Sequence, residues 1–186
     1  MMINKINKAE LSVDKRFEII EKIESINPRH LEIENISDIL LDNLKLFNNK
    51  YGYFKFICFF TNFNSLHIKS KQIIDGFKEA FPTFTINPLI VSSETHEYIE
   101  NRNKISSLKL RKNTIDLILC VNMLTHGFHL DNLSGIIMMR HTFSDIIYKQ
   151  QTGRCMSVID NNPKIIFDFV ENLYTNINVN PDWGNT

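Results

Sequence analysis

This chain is short of glycine, with only six, at 52, 76, 127, 135, 153 and 184. None of them completes a G-x-x-x-x-G-K-[ST] loop, and no aspartate is followed by glutamate anywhere. The usual backbone cradle for a nucleotide's phosphates is therefore not encoded, nor is the acidic pair that holds its metal. Cysteine is equally scarce: Cys58, Cys120 and Cys155 are odd in number and form no C-x-x-C. Two of them sit inside apolar runs, which excludes a disulfide framework and fits buried, reduced thiols in a cytoplasmic protein. Net charge is missing as well. Lys plus Arg and Asp plus Glu are both 21, so no global field draws the chain to nucleic acid or to a membrane, and any polyanion must be held locally. No apolar run approaches the ~20 residues of a membrane span, and no leader of the charged, apolar, small-residue kind opens the chain. These absences predict a soluble, non-membrane protein.

What is present is a set of short runs rich in Ile, Phe, Val and Leu, separated by segments of helical spacing. That alternation is the signature of a parallel sheet covered by helices, so the fold class is α/β. At 186 residues one domain with an appendage is expected. Strands are predicted over 54–60 (FKFICFF), 86–91 (INPLIV), 115–121 (IDLILCV), 135–140 (GIIMMR) and 164–170 (KIIFDFV). Helices are predicted over Phe63–Ala80, carrying Leu66, Ile73, Ile74 and Phe77, and over about 94–108 behind Ser92 or Ser93 as cap. A short helix, DIIYKQQ, follows a capping Ser144. Residues 1–48 differ in holding two amphipathic segments, Leu11–Ser25 and Ile33–Phe47, with no strand between them, and are predicted to be a helical leader. The body is drawn over 49–175, and the turn-rich end, 176–186, is expected to fray.

In an open parallel sheet ligands lie beyond the carboxyl ends of the strands. Here those ends are Thr61-Asn62, Ser92-Ser93, VNMLTHGFHLD at 121–131 and RHTFSD at 140–145, polar for so apolar a chain. Hydroxyls, Asn side chains and helix N-termini suit phosphate without needing a large positive field. His126 and His129, with His141 and Cys120 nearby, raise the question of zinc; without a paired Cys motif they make no convincing ligand set, and no metal is assigned. Phe59, Phe60 and Phe63 are read as core in preference to a stacking platform.

The series VNMLTHGFHL at 121–130, GIIMMRHTFSDIIYKQQTGRCMS at 135–157 and IIFDFV at 165–170 resembles motifs V and VI of superfamily 2 helicases, in the DEAD/DEAH-box branch related to type I and type III restriction enzymes. FICFFTN at 56–62 resembles motif IV of the same group. The resemblance implies a second RecA-like domain, an open and mainly parallel sheet with helices on both faces, from a two-lobed ATP-driven motor. It implies ATP with Mg2+, bound jointly with a P-loop-bearing first lobe that is either part of the same gene product or a separate chain; the alternative is a non-catalytic RecA-like remnant that binds nucleic acid or a partner lobe and hydrolyses nothing. It also implies a nucleic-acid partner, DNA in that branch. Motif VI would supply Arg154 as an arginine finger and Gln150 as an orienting group, with Gln151 and Gly153 beside the nucleotide. Motif V would contribute Gly127 and His129. Thr61, Asn62, Ser92, Ser93 and Thr125 would touch the nucleic-acid backbone. Two departures stand out, Ser157 where many helicases have a second arginine and His126 where relatives have an acid.

Overall fold

The computed structural model describes residues 36–45, 52–92, 98–121, 130, 132–142, 145–155 and 164–170. Its elements follow the order α1 (Ile36–Leu44), β1 (Tyr53–Phe60), α2 (Phe63–Ala80), β2 (Thr85–Val91), α3 (Tyr98–Ser106), β3 (Thr114–Val121), β4 (Gly135–Met138), α4 (Asp145–Thr152) and β5 (Ile165–Asp168). The five strands form one sheet in the order β2-β3-β1-β4-β5, and every adjacent pair is parallel. This is the α/β class expected from the alternation of apolar runs and helical spacings.

The strands with no polar alternation are the ones placed centrally. YFKFICFF and TIDLILCV are buried along their whole length and pair with one another from Tyr53↔Thr114 to Phe60↔Val121. A strand covered on both faces has no solvent side to make polar, so a continuous apolar run is its natural sequence. Successive side chains then divide between two cores. Phe54, Phe56, Cys58 and Phe60, with Ile115, Leu117 and Leu119, pack on one face against α1 and α2 through Leu40, Leu66, Ile73 and Phe77. Ile57, Phe59, Ile118 and Cys120 pack on the other against Ile105 of α3 and Tyr148 of α4. Phe59 and Phe60 are thus core residues, at 1 % and 0 % exposure. The first core is aromatic, with Phe56 lying 5.6 Å from the Phe77 ring and 6.1 Å from the Phe167 ring.

Three elements depart from the sequence expectation. β4 ends at Met138 and β5 at Asp168, each two residues before the end of its apolar run. The last apolar residues leave the ladder yet stay in the cores, as Met139 and Val170 do. β2 lies at the sheet edge and is only half-buried, with Val91 alone fully covered. Of the leader, the Leu11–Ser25 segment lies outside the described residues. Within Ile33–Phe47 the helix spans Ile36–Leu44 and docks on α2, where a Cβ placed on Gly76 would come 2.5 Å from Ile36 Cγ2. Close helix approach there requires glycine. The 176–186 end lies outside the described residues. Among the described residues no helix is long and apolar enough to cross a membrane.

Candidate functional site

The carboxyl edge of the sheet is assembled by four strand ends. After β1 the chain turns into α2, whose cap is Asn62: its backbone is extended (φ −149°, ψ 175°) and its Oδ1 accepts the Ser65 N–H at 2.8 Å. This is a standard N-cap, which satisfies one of the helix's orphan donors. Thr61 before it is buried, and so is Ser92, just beyond β2. Asn62, part-exposed, is the member of this trio open to solvent. Ser93, Thr125, Gly127 and His129 lie outside the described residues, as do His126 and Ser144.

Beyond β4 and β5 the edge is built from buried charge. Lys69 is 1 % exposed, and its Nζ donates to the Met139 carbonyl at 3.4 Å. Arg140 and Thr142 are buried too, at 5 % and 1 %. Burial and, after it, the nearby Lys69 ammonium push the His141 imidazole down to about 4 against the opposing charge of Asp168. His141 is therefore neutral at neutral pH, and its Nε2 has no hydrogen-bond partner. Lys69 went unnoticed in the sequence reading, although a signal existed. The apolar stripe of α2 runs Leu66, Ile73, Phe77, and the turn between Leu66 and Ile73 is filled by Lys69 and Ser70, both buried. A lysine in register with a core stripe must bring its charge to a partner at the end of its reach. Among the described residues no group of three or more His, Cys, Asp or Glu side chains gathers in a way that could hold a metal.

Helix α4 holds the QQTGR run. Tyr148, Gln151, Thr152 and Cys155 are buried, at the i, i+3, i+4, i+7 spacing of one face, while Ile146, Lys149 and Gln150 are exposed. The Tyr148 phenol is pushed up to about 12 by burial and by Asp168, at the end of β5. The Cys155 thiol is also raised to about 12 by burial, against the opposing charge of Lys164, just before β5. These neighbours fix the direction of α4, which runs antiparallel to the strands and away from the carboxyl edge. Eight residues at ~1.5 Å each separate its two ends by about 12 Å. Arg154 lies past the far end of α4, on the side away from the carboxyl edge.

The end of α4 is closed by its own backbone. The Gly153 N–H donates to Lys149 O at 2.8 Å, Arg154 N–H to Gln151 O at 3.2 Å, and Cys155 N–H to Thr152 O at 2.9 Å. Thr152 Oγ1 donates to Tyr148 O at 2.9 Å. A Cβ on Gly153 would stand 2.8 Å from the Lys149 oxygen, so glycine is needed here for the helix to close on itself. Arg154 follows it in the turn, half-buried. Gln150 and Gln151 part company: Gln150 is exposed, whereas Gln151 is 2 % exposed with both amide atoms lacking a hydrogen-bond partner.

No family model matches this chain, and no curated protein matches it either. Among solved structures it is similar to domain 2 of the DEAD-box helicase Mss116p bound to an RNA duplex, with a TM-score of 0.50 and 12% sequence identity. The match covers 73% of this chain and 49% of that one, so this chain spans about half the length of the solved neighbour. At that identity the likeness is one of fold: a five-stranded parallel α/β sheet of the RecA-like kind found in a helicase second domain.

Proposed function

We propose that this chain is the second RecA-like lobe of an ATP-driven superfamily 2 motor, drawn over residues 49–175, and that its chemistry is completed by a P-loop-bearing first lobe. One observation supports this above the others. In a sheet of the helicase second-domain kind, the QQTGR run occupies the helix joining β4 to β5 and places Arg154 just past that helix's end, with Gln150 on the outward face. The first lobe would hold the phosphates and magnesium of ATP. Arg154 would stabilise charge on the transferring phosphoryl group, since guanidinium is planar and permanently charged and offers two parallel donors to phosphate oxygens. Arginine fingers in related NTPases are worth ~10³–10⁵ in rate. Gln150, exposed beside it, would orient the nucleotide. Motif V, around Gly127 and His129, would link that cleft to nucleic acid, DNA being the expected class, held with Asn62, Ser93 and Thr125, while Thr61 and Ser92 are buried and would support that edge from within.

The test joins this chain to a first lobe, in cis or in trans, and compares wild type with Arg154→Ala and Arg154→Lys. An interaction made only as charge builds on the phosphoryl group lowers turnover without a matching loss of affinity. A fall in kcat on the order of 10²-fold or more is expected for both variants, with ATP affinity changed by less than about tenfold. Normal hydrolysis by both, in a complex that requires this lobe, would return Arg154 to a structural role at a helix end.

A further inference from the structure

A second polar region lies on the far flank of the lobe, away from the strand ends. Between the half-buried edge strand β2 and α3 opens a cavity of about 660 Å³, within the size range of small-ligand sites. Lys104, Lys109 and Arg111 line it, and no carboxylate is among its lining residues. Its apolar wall comes from Pro88, Leu89 and Leu108, and Asn87, Asn101 and Ser107 add polar groups. The sequence is unusual at this point. Arg102, Lys104, Lys109, Arg111 and Lys112 follow one another with no acidic residue between Glu100 and Asp116, in a chain whose charges cancel overall.

The ordinary explanation for lysines here is complementarity to the negative end of α3. It accounts for Lys104, in the last turn, but not for Lys109 and Arg111, which lie beyond the helix. Two of these three cations have carboxylate partners outside the cavity lining, Glu100 and Asp116. Lys104 meets Glu100 at 2.7 Å, but both side chains are more than half exposed, and such pairs are worth little. Arg111 gives one nitrogen to the buried Asp116 at 2.7 Å and is itself half exposed, so the remaining guanidinium donors are not consumed by that contact. Asp116 is held in addition by Tyr53 at 2.6 Å and Asn87 at 2.7 Å, which fixes Arg111 at the cavity wall. Strand addition is a poor alternative use of this edge. Pro88 has no N–H to offer, and Asn101 Nδ2 already donates to the Ile90 carbonyl at 2.9 Å.

We infer that this cavity binds a nucleotide unit, its phosphate on Lys104, Lys109 and Arg111 and its base or sugar against Pro88, Leu89 and Leu108. The unit could be a free mononucleotide or one residue of a single strand, since both offer the same phosphate and ring. The inference does not rest on the motor reading, because it needs neither Arg154 nor a first lobe.

The experiment uses the whole chain with two probes, AMP and a labelled oligothymidylate, against wild type and the double variant Lys104→Gln/Lys109→Gln, both at exposed positions. Amide chemical shifts report the place of binding. For at least one probe, saturable binding that perturbs Asn87, Asn101 and Ser107 is expected, with the double variant weakening it on the order of tenfold. For the strand, each lysine removed lowers the salt slope by about 0.7. AMP alone responding identifies a free nucleotide as the ligand, and oligothymidylate alone identifies a strand. Unchanged affinity in the double variant, shifts confined to Thr61 and Ser92, or no saturable binding of either probe overturns the inference.

Discussion

His141 and Gln151 both carry buried polar atoms with no hydrogen-bond partner. The folded pKa of His141, about 4, lies below its ordinary value of 6.5, so the unfolded chain binds a proton more readily. Stability is then fully present above about pH 6.5 and is lost as the pH falls from there toward 4, by about 3 kcal/mol. Urea midpoints measured across that window should fall for wild type and stay flatter for His141→Gln. Gln151 makes the opposite case. Burying an amide with neither end satisfied costs about 1–3 kcal/mol, so Gln151→Met, of similar volume, should raise the stability of the lobe on its own. An unfolding midpoint equal to or below wild type would mean that the amide finds a partner in solution. None of this was legible beforehand. QQ in a sequence gives no sign of which glutamine turns inward, because that depends on where the helix meets the sheet.

The elements were more legible than their environments. Apolar runs located all five strands, and the α2 boundaries, Phe63 and Ala80, follow from the Asn62 cap and the apolar stripe. What a run of Ile and Leu could not show is its rank in the sheet: INPLIV and IDLILCV look alike, yet one is a half-exposed edge and the other is wholly buried. Rank is set by strand order, a long-range property. Lys69 is the intermediate case: its register with the apolar stripe of α2 marks it as inward-facing, but its partner, the Met139 carbonyl, is set by the fold. At this scale α1 is the element to test. Leu40 is 0 % exposed in the core shared with α2 and the sheet, so Leu40→Ala should cost ~2–5 kcal/mol. Chemical denaturation reads the cost, and a loss below about 1 kcal/mol would show that α1 is dispensable to that core.

The whole molecule was legible in class and in outline, because alternating apolar runs and helical spacings leave few ways to cover a parallel sheet. The candidate site was legible only as a string of motifs. That Arg154 lies past the far end of α4 required the direction of that helix. The purified chain is expected to show no nucleic-acid-stimulated ATP hydrolysis, since it encodes no P-loop lysine or acidic metal site. Turnover that copurifies with the chain and disappears in Arg154→Ala would contradict that. The strand order also governs how the protein is made. Among the described residues β1 is the first strand and yet the middle one of the sheet, where Phe56 pairs with Leu117 on one side and Gly135 on the other. A ribosome adding ~5–20 residues per second delivers YFKFICFF seconds before either neighbour exists. During that interval a strand with two greasy faces and two open edges has no native partner, so the newborn chain is most exposed to aggregation and to chaperone capture before its centre can close.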